Sequence, residues 1–234
     1  LESTSKDINA PEYQPILALM AAVILAEAAV LVFRDVQAGL LAMLAAALSI
    51  AVVAVWRTNG FRILGVGIAL MVWTAPMFFG LLALDTDVAT AATSSEWRLA
   101  IWSRVIEVTA ERPFEGSGLG VLRTIDDVIP SGPLAGMPLV PNHAHNMLLQ
   151  LWAETGAVGA GLLAITIVLA AWRLPAPERL GVAAPRLAGL IGGAAIIACV
   201  SFDLWNEWWW AVVGLLGVLC AVATPDPARV DPHT

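Results

Sequence analysis

The stretch LLAMLAAALSIAVVAV, residues 40–55, decides the fold. It carries no charge and a single hydroxyl, Ser49, and its residues do not alternate apolar with polar as a membrane β-barrel strand requires. A backbone that crosses hydrocarbon must satisfy its own N–H and C=O groups, so a run of this kind reads as a transmembrane α-helix. The same reading applies along the chain to apolar runs at 15–33, 38–56, 63–84, 152–172, 185–201 and 207–223. Each is roughly the length that a helix rising 1.5 Å per residue needs to cross about 30 Å of hydrocarbon. The 234 residues are 59% hydrophobic and 13% charged, with a mean hydropathy of +0.80, far from the composition of a soluble domain. The expected fold is all-α, a polytopic transmembrane helix bundle of about six spans, with residues 1–234 as a single membrane domain.

The polar residues give this bundle an orientation. Among the short connections and the termini, Arg57, Arg62, Arg173, Arg179, Arg186, Lys6 and Arg229 fall on one alternating set, whereas the other set holds Arg34. By the positive-inside rule the first set is cytoplasmic, which puts the long segment 85–146 and the turn 202–206 outside. The net charge of -7 includes no basic run that would suggest a nucleic-acid partner. Cys199 and Cys220 lie inside predicted spans and read as small apolar residues. LESTSKDINAPEYQP lacks a cationic region and a small-residue cleavage site, so it is not expected to be a signal peptide, and the chain is expected to be part of something longer.

Within the outer segment, Thr93 with Glu96 fits a capping box. EWRLAIWSRVIEVTAERP then sets Trp97, Ile101, Trp102, Val105 and Val108 on one stripe of an amphipathic helix that ends at Pro113. Its tryptophans suit the headgroup layer, and Arg98 and Arg104 are expected near lipid phosphates. Residues 114–141 are rich in Gly and Pro and read as a turn-filled loop, after which a helix resumes at HAHN. No internal repeat or second soluble domain is visible.

Three pieces recur in order: RLAIW (Arg98–Trp102), PFEGSGLG (Pro113–Gly120), and His145–Asn146 followed by nine residues and GAVG (Gly156–Gly159). This order resembles the O-antigen ligase and O-antigen polymerase superfamily of bacterial envelope enzymes. The likeness runs from about Arg34 to Gly159, is strongest over 96–159, and corresponds to the C-terminal half of such proteins. Arg34, in VFRDVQAG, is the nearest match to an arginine that recurs early in the family, with Phe33 where Ser is common. The resemblance implies glycan transfer on the periplasmic face of the inner membrane. The donor would be a polysaccharide on undecaprenyl pyrophosphate and the acceptor a hydroxyl of lipid A core or of another glycan. No metal or other cofactor is implied.

The residue types suit that chemistry. A departing pyrophosphate accumulates negative charge, and a guanidinium matches phosphate oxygens with a permanently charged fork. Arg98 and Arg34 are the first candidates and Arg104 and Arg123 the reserves, against the alternative that they snorkel or touch lipid headgroups. An attacking hydroxyl loses a proton that a neutral imidazole accepts, and His145 is the histidine beside Asn146. His143 orients it or contacts substrate; both histidines are otherwise helix-start residues. Asn146 caps the helix or holds the imidazole tautomer. Glu27 and Glu154 are costly in lipid and receive no role. HAH with Asp126, Asp127 or His233 falls short of a zinc ligand set, His233 being on the cytoplasmic side. GSGLG lacks the strand and βαβ context of a dinucleotide fingerprint. GAVG is expected to let two helices approach closely.

The leading reading is a ligase-type glycosyltransferase, followed by a polymerase of the same superfamily. A transporter or flippase component would use Glu27, Glu154 and Asp203 as a polar path, but the two similar halves of such proteins are not seen.

Overall fold

The computed structural model describes residues 37–84 and 94–222. Among the described residues the elements are α1 (Gln37–Val55), α2 (Gly60–Ala83), α3 (Ser94–Glu111), a 3-10 turn (Val121–Thr124), α4 (Met147–Arg173), α5 (Pro177–Leu180), α6 (Ala183–Val200) and α7 (Glu207–Val222). No strand occurs among them; one isolated bridge, Val128 to Pro138, closes the loop before α4. Helices α1, α2, α4 and α6 are long and apolar enough to cross a membrane. Helix α7 is apolar over its 16 described residues. The expected span at 15–33 lies outside the described residues. The chain is a multi-pass helical membrane protein.

Because lipid tails are as apolar as side chains, helices in a membrane associate through close packing at small residues. At the α1–α6 contact a Cβ on Gly192 would collide with Ser49 Oγ and the Ala45 carbonyl, so glycine there sets the separation of the two helices. Helices α2 and α4 pack side by side, and Pro76 interrupts α2. Proline has no N–H, so the carbonyl four residues earlier, that of Val72, loses its helical partner. Trp152 Nε1 on α4 donates to that carbonyl at 2.8 Å, which satisfies a group that lipid would leave bare.

The amphipathic stripe of α3 points elsewhere than the sequence suggested. Ile101 and Val105 are fully buried, with Trp102 and Val108 beside them, against Val72, Ala75 and Phe79 of α2 and Leu148 and Leu149 of α4. Trp102 stacks edge-on to Phe79 at 4.9 Å and donates its indole N–H to the Ala144 carbonyl at 3.0 Å. The helix therefore buries its stripe in the protein, not in the headgroup layer, and it anchors the loop that follows. Trp97, half-buried, donates to the Leu139 carbonyl at 3.2 Å and ties that loop down at a second point.

GAVG also acts differently from the expected helix–helix contact. Gly156 has φ 61° and ψ −161°, a conformation essentially confined to glycine, and it breaks α4. The PFEGSG segment fills the break. Ala157 N–H donates to the Pro113 carbonyl (2.8 Å) and Val158 N–H to the Phe114 carbonyl (3.1 Å). In return Ser117 N–H donates to the Ala153 carbonyl (2.8 Å) and Gly118 N–H to the Glu154 carbonyl (3.1 Å). These four bonds give backbone groups at the break partners in the loop. A Cβ at Gly156 would strike the Phe114 carbonyl. Gly156→Ala is expected to cost at least about 3 kcal/mol, combining a disallowed backbone with a clash. Gly161→Ala, whose Cβ meets the Trp73 ring at 3.5 Å, is the mild control. Thermal unfolding of both variants in detergent checks this.

The two ends of the bundle differ. The connections 56–59 and 174–182 meet at one end, where Thr58 donates to Glu178 (3.2 Å) and the Arg62 guanidinium lies 5.9 Å from the Trp172 ring centroid. Arg57, Arg173, Arg179 and Arg186 belong to this end. The loop before α4 and the turn 201–206 meet at the other.

Candidate functional site

Asn146 sits at the start of α4 with extended backbone, and its Oδ1 accepts from Leu148 N–H (3.0 Å) and Leu149 N–H (3.1 Å). This is an N-cap, so of the two roles considered for Asn146 the structure shows capping. Its Nδ2 is buried without a partner among the described residues. Ala144, just upstream, is fully buried with its carbonyl held by Trp102. Between these two fixed points His145 takes φ 51°, the left-handed region, which is uncommon for a residue other than glycine. Strain of this kind is kept where the surroundings require one side-chain direction.

The His145 ring lies 4.2 Å from that of His143 and 6.5 Å from that of Trp97, centroid to centroid. Its Nδ1 is 3.4 Å from the Ser201 carbonyl, which can only accept, so this long contact favours the tautomer with the proton on Nδ1. Nε2 is then left with a lone pair. Burial lowers the His145 pKa, and the neighbouring His143 and the Arg98 charge push it the same way against the Ser201 carbonyl. Arg98 directly follows Trp97, whose ring lies 6.5 Å from that of His145, so the two motifs are brought to one region. Arg98 is half-buried and pairs with no carboxylate among the described residues. His143 is also lowered by burial, opposed by Asp203 and helped by Arg123.

Both imidazoles are thus neutral at neutral pH. A base works only while unprotonated, so activity should hold as pH falls through the usual imidazole range near 6.5 and fail below it. The unfolded chain takes up these protons first, so the stability linked to them is present above the unfolded value and lost as pH drops. The acid limb of kcat/KM against pH checks the first statement.

A polar network that sequence reading had only partly named adjoins the histidines. Glu154, 2% exposed, accepts from Gln150 Nε2 (3.0 Å), Gly120 N–H (3.1 Å) and Trp205 Nε1 (2.8 Å). These donors offset the cost of burying a carboxylate. Gln150 Nε2 also reaches Asp203 Oδ1 (2.8 Å), and Gln150 Oε1 accepts from Leu204 N–H (3.1 Å). Asp203 in turn pairs with Arg123 at 3.5 Å. Gln150 was not singled out beforehand. The four-residue spacing from Gln150 to Glu154 was the available signal, since the two share one face of α4.

The remaining candidates are placed as follows. Arg123, with its side chain 58% exposed, reaches over from the 3-10 turn toward Asp203 and acts on His143. Arg104 is held by Asp127 at 2.6 Å and Glu107 at 3.1 Å, and these partners raise its pKa against a smaller effect of burial. It lines a separate polar cavity with Asp127. Arg34 lies outside the described residues, as do Glu27, Thr93 and His233. No group of three His, Cys, Asp or Glu side chains fit to hold a metal ion occurs among the described residues.

Below the polar cluster an apolar cleft of about 460 Å³ opens between α2, α4, α6 and α7. Met147, Leu148 and Leu204 line its end next to the cluster, and Phe61 and Leu174 its far end.

No curated protein and no solved structure matches the chain. A family model described as O-antigen ligase matches residues 18–174, which take in Arg98, PFEGSGLG, His145, Asn146 and GAVG; the turn that carries Asp203 lies beyond the match. With well over half of its residues matched, the chain belongs to the O-antigen ligase family, whose members are membrane enzymes of glycan transfer.

Proposed function

We propose that the chain transfers a glycan from undecaprenyl pyrophosphate to an acceptor hydroxyl of lipid A core, at the periplasmic face of the bacterial inner membrane. The observation that carries this reading is the cluster at the start of α4, where the His145 ring lies 4.2 Å from that of His143 and 6.5 Å from that of Trp97, the residue before Arg98. The arginines of the short connections at the opposite end of the bundle support this sidedness. In this reading residues 1–234 act as one membrane domain and 85–146 as its periplasmic loop.

The acceptor O–H gives its proton to His145 Nε2 as its oxygen attacks the anomeric carbon. The bond between that carbon and the phosphate oxygen breaks, and its electron pair leaves with the diphosphate. Arg98 and Arg123 stabilise the charge that grows there. This chemistry uses no metal or cofactor. The apolar cleft, starting at Met147 and Leu204, suits the lipid part of such a carrier and of membrane lipids in general.

Reconstituted protein supplied with a lipid-linked glycan and a lipid A core acceptor should release polyprenyl pyrophosphate in step with glycan transfer. Product formed with a second lipid-linked glycan in place of lipid A core would identify a polymerase. Passage of the donor across the bilayer without cleavage would contradict both and favour a transporter.

A further inference from the structure

We infer that the polar cavity behind the 3-10 turn is an oligosaccharide-binding subsite for one of the two glycans of the proposed reaction, and this rests on that reading of the site. The cavity holds about 470 Å³, within the range of small-ligand sites. It lies between α3, the segment docked into the break of α4, and the 3-10 turn.

Its chemistry excludes other ligand classes. Arg104 and Arg112 face Glu111, Asp126 and Asp127, so carboxylates outnumber guanidiniums and a diphosphate would be repelled. The carboxylates are not grouped for a metal ion among the described residues. The lining is too polar for a lipid chain. What remains is a hydroxyl-rich ligand without strong negative charge. Glu111 and Asp126 offer acceptors, Arg112 offers donors, the Ser117 hydroxyl offers both, and Val108, Val121 and Ile125 offer an apolar face for the C–H side of a sugar ring.

The walls are fixed in advance, as a binding site requires. Arg104 is clamped by Asp127 and Glu107. Leu122, 1% exposed, anchors the turn in the core, and Ser117 is held through its N–H to the Ala153 carbonyl. By contrast Arg112 and Asp126 are exposed and have no ion pair among the described residues. Val121 and Thr124, three apart on a 3-10 turn, share the face that lines the cavity, while Arg123 leaves on another side toward Asp203. One short turn thus separates a bound sugar from the phosphate-side arginine and the histidines.

The test uses the full protein in detergent, titrated with a deacylated core oligosaccharide, with a soluble repeat-unit oligosaccharide, and with inorganic pyrophosphate. Arg112→Ala and Asp126→Ala should each weaken binding of one oligosaccharide about tenfold and raise the matching KM with kcat unchanged. A change for the core sugar identifies the acceptor as occupant, and a change for the repeat unit identifies the donor glycan. Unchanged binding of both sugars in both variants overturns the inference, as does a loss of pyrophosphate binding in Arg112→Ala. Binding does not need turnover, so a sugar effect in a protein that transfers nothing would keep the subsite and defeat the proposed function. Loss of transfer on replacing His145, with sugar binding indifferent to Arg112 and Asp126, would do the reverse.

Discussion

Replacing His145 with alanine is expected to lower kcat for glycan transfer by roughly 100- to 10,000-fold, the usual contribution of a positioned general base. The protein should still insert and accumulate. The acceptor hydroxyl has to shed a proton during attack, and His145 Nε2 is the free imidazole nitrogen once Nδ1 faces the Ser201 carbonyl. A backbone objection is available, because His145 occupies the left-handed region and alanine tolerates it poorly. Asparagine does tolerate it and takes up no proton near neutral pH, so His145→Asn separates the two effects. It should unfold at the wild-type temperature and be as inactive as the alanine variant. Near-normal turnover in either variant would end the assignment of His145 as base.

Arg98→Ala should lower kcat/KM about 100- to 1,000-fold, equivalent to roughly 2.7–4 kcal/mol of lost transition-state stabilisation. The diphosphate gains charge as it leaves, and Arg98 pairs with no described carboxylate that would neutralise it first. Arg104 is the internal comparison. Its guanidinium is already committed to Asp127 and Glu107, so Arg104→Ala should act on the loop and not on phosphate. Arg98→Lys keeps the charge but loses the planar fork and should fall between wild type and Arg98→Ala. Transfer rates of these three variants, normalised to protein in the membrane, decide the point. Equal rates for Arg98→Ala and wild type would remove Arg98 from the chemistry.

What the sequence disclosed follows from how far each signal travels along the chain. Span length and an unbroken apolar run are local, so α1, α2, α4 and α6 were legible, as was the helical periodicity of α3. Periodicity identifies an apolar face but not what receives it. The stripe of Ile101 and Val105 suits headgroups and protein equally, and only the packing of α2 and α4 shows that protein wins. Gly156 reads as a helix contact because the segment that fills its break begins at Pro113, far upstream. The Gln150–Asp203 bond joins residues 53 apart, and no local pattern announces it. The capping role of Asn146 was readable because a helix N-terminus is a local feature.

The proposed pairing of Arg98 with His145 in one site is tested most directly by titrating the His145 imidazole by NMR, in the wild-type protein and in Arg98→Ala. A nearby guanidinium disfavours the protonated ring, and burial and the His143 neighbour act in the same direction. Removing the guanidinium should therefore move the His145 titration to higher pH while the ring stays neutral at neutral pH. A titration that does not move when Arg98 is replaced would mean that the two groups do not share a site.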